Sequence, residues 1–229
     1  MKTSSKSVAT PGRPAANTGR DARELLLNSA TELFAIHGIA ATTFAMIAKS
    51  AGLTPAMVHY YFKDRNQLCD AVVNERLLRI ASYVWDPVEP DADPAETIRG
   101  IVDRLFERIE LMPWIPSLWI REILNEGGLL REKMLPRVPF KGAQTLAGVV
   151  ARGQANGSLN PEVEPLLVIT STLGMVMLNI AATRILAQAL HRKPPTRRAI
   201  QRHITGLLLN GVCHKPPTRS KPVSSTKNR

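Results

Sequence analysis

The chain reads as an all-α protein of about nine helices. Three features predict this. Apolar residues recur every three or four positions in one segment after another, no stretch of any length alternates with period two, and prolines, glycines and acids gather between the apolar segments. At 229 residues, 44% hydrophobic and 21% charged, the chain has ordinary globular composition and enough length to bury a core without a disulfide or structural metal. Cys69 and Cys213 stand far apart with no CxxC pair or His/Cys set, which fits a reduced, cytoplasmic protein.

The elements follow in order. Residues 20–37 place Leu26, Ala30, Leu33 and Phe34 on one side of a first helix that stops at Gly38. Two short helices are expected at 44–50 and 55–61, then a long one over 64–84. Residues 86–94 (DPVEPDADP) hold three prolines and four acids, so they form a loop between two parts of the molecule. Asp93 and Pro94 read as cap and first turn of a helix reaching Leu111. A helix over 117–130 should break at Gly127 and Gly128, and another should span 138–154. Residues 162–190 form a long apolar helix, and 196–213 the last one. Within the long helix, 166–183 is an uncharged run of 18 residues. Its Thr170, Ser171, Thr172, Asn179 and Thr183, and the lack of a Trp or Tyr belt, favour a helix buried between protein surfaces over a membrane span.

Charge is distributed unevenly. Residues 1–65 carry 8 basic and 4 acidic side chains, 66–190 carry 12 and 15, and 191–229 carry 10 and none, which together give the net +11. Basic ends on a neutral body suggest a polyanionic partner, nucleic acid ahead of a membrane surface. Residues 1–20 lack the apolar stretch of a secretory signal. No GxSxG elbow, phosphate-binding glycine loop or HExxH pair is present, and the five histidines are dispersed. Neither a catalytic set, a metal site nor a cofactor site is expected.

The informative stretch is 42–65, TTFAMIAKSAGLTPAMVHYYFKDR. A helix starting at Thr42 or Thr43 turns Phe44, Ile47 and Ala48 inward. Gly52 supplies the positive φ of a tight turn, and Thr54 with Pro55 opens a second helix whose Val58 and Phe62 face in. Pro55, Ala56, His59, Tyr60 and Lys63 then lie outward or flanking. That is a helix-turn-helix, and its outer face is rich in hydrogen-bond donors suited to phosphate oxygens.

Thr42-Thr43, Ala48, Gly52-Leu53-Thr54 and the run from Val58 to Arg65, together with LFAIHG at 33–38 and Leu68, resemble the N-terminal signature of the TetR family of bacterial transcriptional regulators. The resemblance covers roughly residues 22–70. It implies a homodimeric repressor with a ligand-binding helical body, and a three-helix DNA-binding domain ahead of it. By position, Thr43 would hydrogen-bond a phosphate, Thr54, Pro55 and Ala56 would open the base-reading helix, Tyr60 and Tyr61 would match the family's aromatic positions, and Lys63 and Arg65 would grip the backbone. Two departures stand out. His59 occupies a position usually held by tyrosine, which leaves its contact open, and Arg65 replaces the usual lysine and could hold a phosphate with two donors. Pro11-Gly12-Arg13-Pro14 is similar to the core of minor-groove hooks.

The resulting division is a flexible basic arm (1–19), a DNA-binding domain (20–65), a helical ligand-binding and dimerisation domain (66–213) and a disordered basic tail (214–229). Candidate ligand-binding residues are Trp85, Met112, Trp114, Trp119, Arg121, Glu122 and Met175, with Met134, Phe140 and Met177 as further wall material. The homodimer contact is expected through the last two helices: Leu166, Ile169, Leu173, Val176, Met177 and Ile180 of one, with Ile200, Ile204, Leu207 and Leu208 of the other. Partners are a double-stranded DNA operator and an unidentified small-molecule effector, without a membrane. The competing reading is a helical lipid- or membrane-surface-binding protein without sequence-specific DNA binding.

Overall fold

Ten helices and no strand are found among the described residues, 16–138 and 140–213, of the computed structural model. The GRP-containing start of the arm (residues 1–15) and the whole basic tail (214–229) lie outside them.

Helix α1 spans Ala16–His37, starting four residues before the expected point. α2 (Phe44–Ala51) is capped by Thr43, whose hydroxyl accepts the Met46 N–H at 3.2 Å. Gly52 closes α2 in the left-handed region at φ +68°, where a Cβ would be strained, and the chain turns into α3 (Pro55–Tyr61). Asp64 caps α4 by accepting the Gln67 N–H at 2.8 Å. α4 is one continuous helix over 65–85 in three parts: Arg65–Val72, a π-helical turn Val73–Leu77, and Leu78–Trp85. Its buried residues are Leu68, Cys69, Ala71, Val72, Val73, Leu77 and Val84. The π turn widens the coil by one residue between the two α-helical parts.

α5 (Pro94–Leu111) is capped by Asp93, as expected. α6 is Ile115–Leu118 continued by a second π turn, Trp119–Ile123. α7 is Leu129–Met134 with a 3₁₀ turn Leu135–Arg137. The glycine break therefore yields two helices where one broken helix was expected, and the count is ten rather than nine. α8 (Lys141–Ala155) begins after Val138, which is held extended by the proline that follows it. α9 (Pro165–Ala189) and α10 (Arg197–Val212) complete the chain.

Two apolar clusters organise these helices. The first joins α1, α2, α3 and the start of α4 through Leu26, Phe34, Ile47, Val58, Phe62 and Leu68, and reaches Leu118, Ile123 and Leu130 of α6 and α7. The second fills the body among α4, α5, α8, α9 and α10. Trp114 and Trp119 pack against both. Polar pairs reinforce the seam: the Arg23 guanidinium forks onto Glu75 at 2.6 and 2.7 Å, Arg76 holds Glu24 and Asn28, and Asp70 accepts from Lys133 and Arg137. The hydrogen bonds and charge of Arg23 keep the Glu75 carboxyl below the usual glutamate range.

α9 departs from expectation. Val176 and Met177 are buried, and Ile169, Leu173 and Met177 line a cavity inside the body, so most of the expected dimer stripe packs within its own chain. The face left open carries Leu167, Ser171, Gly174, Leu178 and Ile185, at steps of four, three, four and seven. On α10, Ile204 and Leu208 are buried and Leu207 is exposed. The helix is apolar almost all round, so periodicity does not reveal which side turns in.

Candidate nucleic-acid interface and ligand cavity

The helix-turn-helix projects a polar, unpaired face. Tyr60 is 80% exposed, and Thr54, Pro55, Ala56, His59 and Lys63 are exposed beside it. Thr54 opens α3 without spending its hydroxyl on the helix, because no side-chain cap bond forms there. That hydroxyl stays free for an external acceptor. Beneath the face, Val58 and Phe62 are buried, so the seven-residue helix is anchored by its inner side alone.

Three expected residues carry structural work as well. The His59 ring meets the edge of Phe44, centroids 4.9 Å apart. Tyr61 is half-buried against the first cluster, with Tyr60 edge-on at 5.0 Å, and presents less surface than its neighbour. The two-donor grip expected of Arg65 is directed inward: its guanidinium donates to the Ala40 and Thr42 carbonyls at 3.2 and 3.0 Å. Arg65 thus ties the α1–α2 turn to the start of α4 and positions Thr43, whose hydroxyl occupies the N-terminus of α2. Side-chain chemistry alone did not distinguish these bonds from phosphate bonds, since backbone carbonyls 23 and 25 residues away leave no mark on the sequence.

The body encloses a cavity of about 150 Å³ between α4, α5, α6, α7, α8 and α9. Of the candidate ligand residues, Trp85 and Trp119 line it, as do Met134, Phe140 and Met177. Met112, Trp114 and Met175 pack against the apolar clusters instead. Arg121 is exposed and borders a separate shallow groove with Leu178 and Ile185. Sequence reasoning missed Leu77, Ile80, Ile169 and Leu173 on the wall, and Arg131 and Lys141 at its polar margin. The spacing of Leu77, Ile80, Ala81 and Val84 on α4 carried that signal. Lys141 had none, because it enters at the start of α8, directly after the α7–α8 connection. Phe140 sits at φ 39°, a left-handed backbone that a bulky side chain rarely adopts. α8 approaches α4 so closely that a methyl group at Gly142 would run into the Trp85 carbonyl.

Glu122 is buried, yet it belongs to neither wall nor groove. Its carboxylate accepts the backbone N–H of Ile39 at 3.1 Å, directly after Gly38 in the α1–α2 turn. The π turn Trp119–Ile123 therefore touches the cavity with Trp119 and Ile123 and the helix-turn-helix with Glu122. Cys69, buried beneath this junction, has its thiol pushed up to about 12, foremost by desolvation, and is chemically quiet at neutral pH. No group of His, Cys, Asp and Glu able to hold a metal occurs among the described residues.

Residues 26–72 match the family described as bacterial regulatory proteins, tetR family, and residues 94–207 match the tetracyclin repressor-like C-terminal domain. The chain is similar to the HTH-type transcriptional repressor KstR2 of Mycolicibacterium smegmatis, with 26% identity over 161 residues, 68% of this chain and 73% of that one. In structure it is similar to the ketosteroid transcriptional regulator KstR2 of Mycobacterium tuberculosis, with TM-score 0.66 and 20% identity, covering 84% of this chain and 95% of that one. It is also similar to the transcriptional regulator FadR of Bacillus subtilis in complex with stearoyl-CoA, with TM-score 0.61 and 17% identity, covering 82% and 98%. At these identities the two structural likenesses establish a shared fold.

Proposed function

Since this chain belongs to the TetR family of bacterial regulatory proteins and is a DNA-binding transcriptional regulator, we propose that it is a cytoplasmic homodimeric repressor, released from a palindromic operator when an apolar or amphipathic small molecule enters the body cavity. Catalysis forms no part of this reading.

The observation that carries it is the π turn Trp119–Ile123, which has its indole on the cavity wall and its carboxylate on the Ile39 amide. A cavity of about 150 Å³ accommodates a guest about the size of benzene. A larger ligand must displace the wall, and displacing Trp119 moves Glu122 and the turn that it holds. A ligand favouring the displaced arrangement lowers DNA affinity by linkage. KstR2 of Mycobacterium tuberculosis is described as a ketosteroid regulator and FadR of Bacillus subtilis was solved with stearoyl-CoA, so a ketosteroid and an acyl-CoA are the first probes to try.

For the DNA side, the reading assigns base and backbone contacts to Thr43, Thr54, Pro55, Ala56, His59, Tyr60 and Lys63, with Tyr61 at the margin and Arg65 as the brace behind them. For the dimer, the open stripe of α9 and Leu207 of α10 supply a self-complementary face. Ser171 and Gly174 permit close approach of the partner helix, and two-fold symmetry sets the reading helices about 34–36 Å apart. α9 is also long and apolar enough to cross a membrane, but family membership and the inward packing of Val168, Thr172, Val176 and Met177 favour a helix shared between body and partner.

The test is selection of genomic DNA fragments on the purified protein, followed by titration of the ketosteroid and the acyl-CoA against the selected fragment. A single palindromic site released by one probe, with quenching of Trp85 and Trp119 fluorescence, is the expected result. Retention of fragments without common sequence overturns the reading. Glu122→Gln, which keeps an acceptor for Ile39, should bind operator and respond normally. Glu122→Ala should retain probe binding and lose the coupled release.

A further inference from the structure

The packing of the helices fixes which connections share an end of the molecule. Pro94 lies beside Gly153 and Leu159, and Asn160 bonds the Val212 carbonyl, so the start of α5 and the ends of α8 and α10 share one end of the molecule. That end carries Asp91, Asp93, Glu162 and Glu164. At the other end, the last turns of α9 lie along α6, where Leu178 and Ile185 share a groove with Arg121 and Asn125. Arg121 in turn abuts Gly38 of the α1–α2 turn. The α9–α10 connection therefore emerges on the side of the helix-turn-helix.

This connection is basic and rigidly framed. His191, Arg192, Lys193, Arg197 and Arg198 fall within eight residues, followed by Arg202, and no acid occurs anywhere after Glu164. None of these side chains forms an ion pair among the described residues, and all but the half-buried Arg197 are exposed. A Schellman-type stop ends α9: His191 is left-handed at φ 49°, its N–H bonds the Gln188 carbonyl, and the Arg192 N–H bonds the Ala187 carbonyl at 2.8 Å. Pro194 and Pro195 stiffen the following residues, and Thr196 caps α10. A tail serving solubility needs none of this framing.

We infer that the α9–α10 loop is a second DNA contact, gripping the phosphates between the two half-sites without reading bases. The inference rests on the dimer proposed above. With α9 at the two-fold axis, the two loops stand side by side between the reading heads, facing the centre of the operator. Fixed cations near a duplex displace its condensed counterions, and their field reaches about 10 Å at 0.1 M salt.

The test compares the wild type with R192Q/K193Q/R197Q/R198Q on the operator fragment that the wild type selects, across a salt series. The quadruple variant should keep the base preferences, melting behaviour and dimer size of the wild type. It should bind at least roughly tenfold more weakly at 0.1 M salt, with a salt slope shallower by about 0.9 for each phosphate relinquished. R192K/R197K/R198K should restore both. Replacing the central phosphates of the operator by neutral methylphosphonates should weaken the wild type and leave the quadruple variant unchanged. Equal slopes and affinities for wild type and quadruple variant overturn the inference, as does a neutral centre that weakens both alike. Failure of the wild type to retain any duplex removes the regulator reading itself, and a monomeric wild type removes the dimer; both are distinct from failure of the loop.

Discussion

Tyr60 and Lys63 are surface side chains with no hydrogen-bond or ion-pair partner among the described residues, Tyr60 touching only the ring edge of Tyr61, and this makes them clean probes. Tyr60→Ala and Lys63→Ala should each weaken operator binding roughly tenfold by loss of a backbone or base contact. Circular dichroism and sedimentation should be unchanged, since neither residue supports the core. Undiminished binding in a gel-shift titration would remove the assigned face. Arg65 should behave differently: Arg65→Ala releases the Ala40 and Thr42 carbonyls and should lower the melting temperature as well as the affinity. The sequence marked Thr43 and Gly52 plainly because cap and turn chemistry is local to a few residues, while Thr54 takes the cap position without a side-chain bond. It did not reveal the partners of Arg65 or Glu122, because each is a backbone group far away in the chain. A charge alone does not say whether it meets a phosphate, a ligand or a peptide.

Among the elements, the α1–α4 seam is held by the Arg23–Glu75 fork. Glu75 has a lower pKa folded than unfolded, so as pH falls the unfolded chain binds its proton first. The stabilisation is complete above the unfolded value and is lost as pH falls through the folded one. Glu75→Gln should cost about 1 kcal/mol at neutral pH and flatten that part of the acid limb in a denaturation series; an unaltered pH profile would contradict the assignment. The α4–α8 contact depends on a missing side chain. Gly142→Ala must push α8 away from Trp85 and should destabilise the body by about 1–3 kcal/mol while changing probe affinity, both readable by thermal shift. Helix existence was legible throughout from spacing and punctuation. Both π turns were invisible in the sequence, since buried Val73 and Leu77 keep an ordinary four-residue spacing across the first of them.

For the whole molecule, the open α9 stripe predicts that Leu178→Glu places like charges against each other near the two-fold axis. Sedimentation should show a monomer, with far-UV helicity retained and operator affinity reduced at least a hundredfold, because one reading head no longer recruits the other. A dimeric Leu178→Glu variant would move the interface elsewhere. The sequence did not show which side of α9 packs within its own chain, since a helix apolar on every side leaves that choice to its neighbours. The π turn in α4 carries a last consequence. Reading head and body share that one helix, so removing a residue from most of it would swing the two lobes about 100° out of phase. Within 73–77 the surplus residue is already present. Deleting Asn74 should relax the widened coil to ordinary α geometry and leave the lobes aligned, making this short stretch the place in α4 where the chain tolerates shortening.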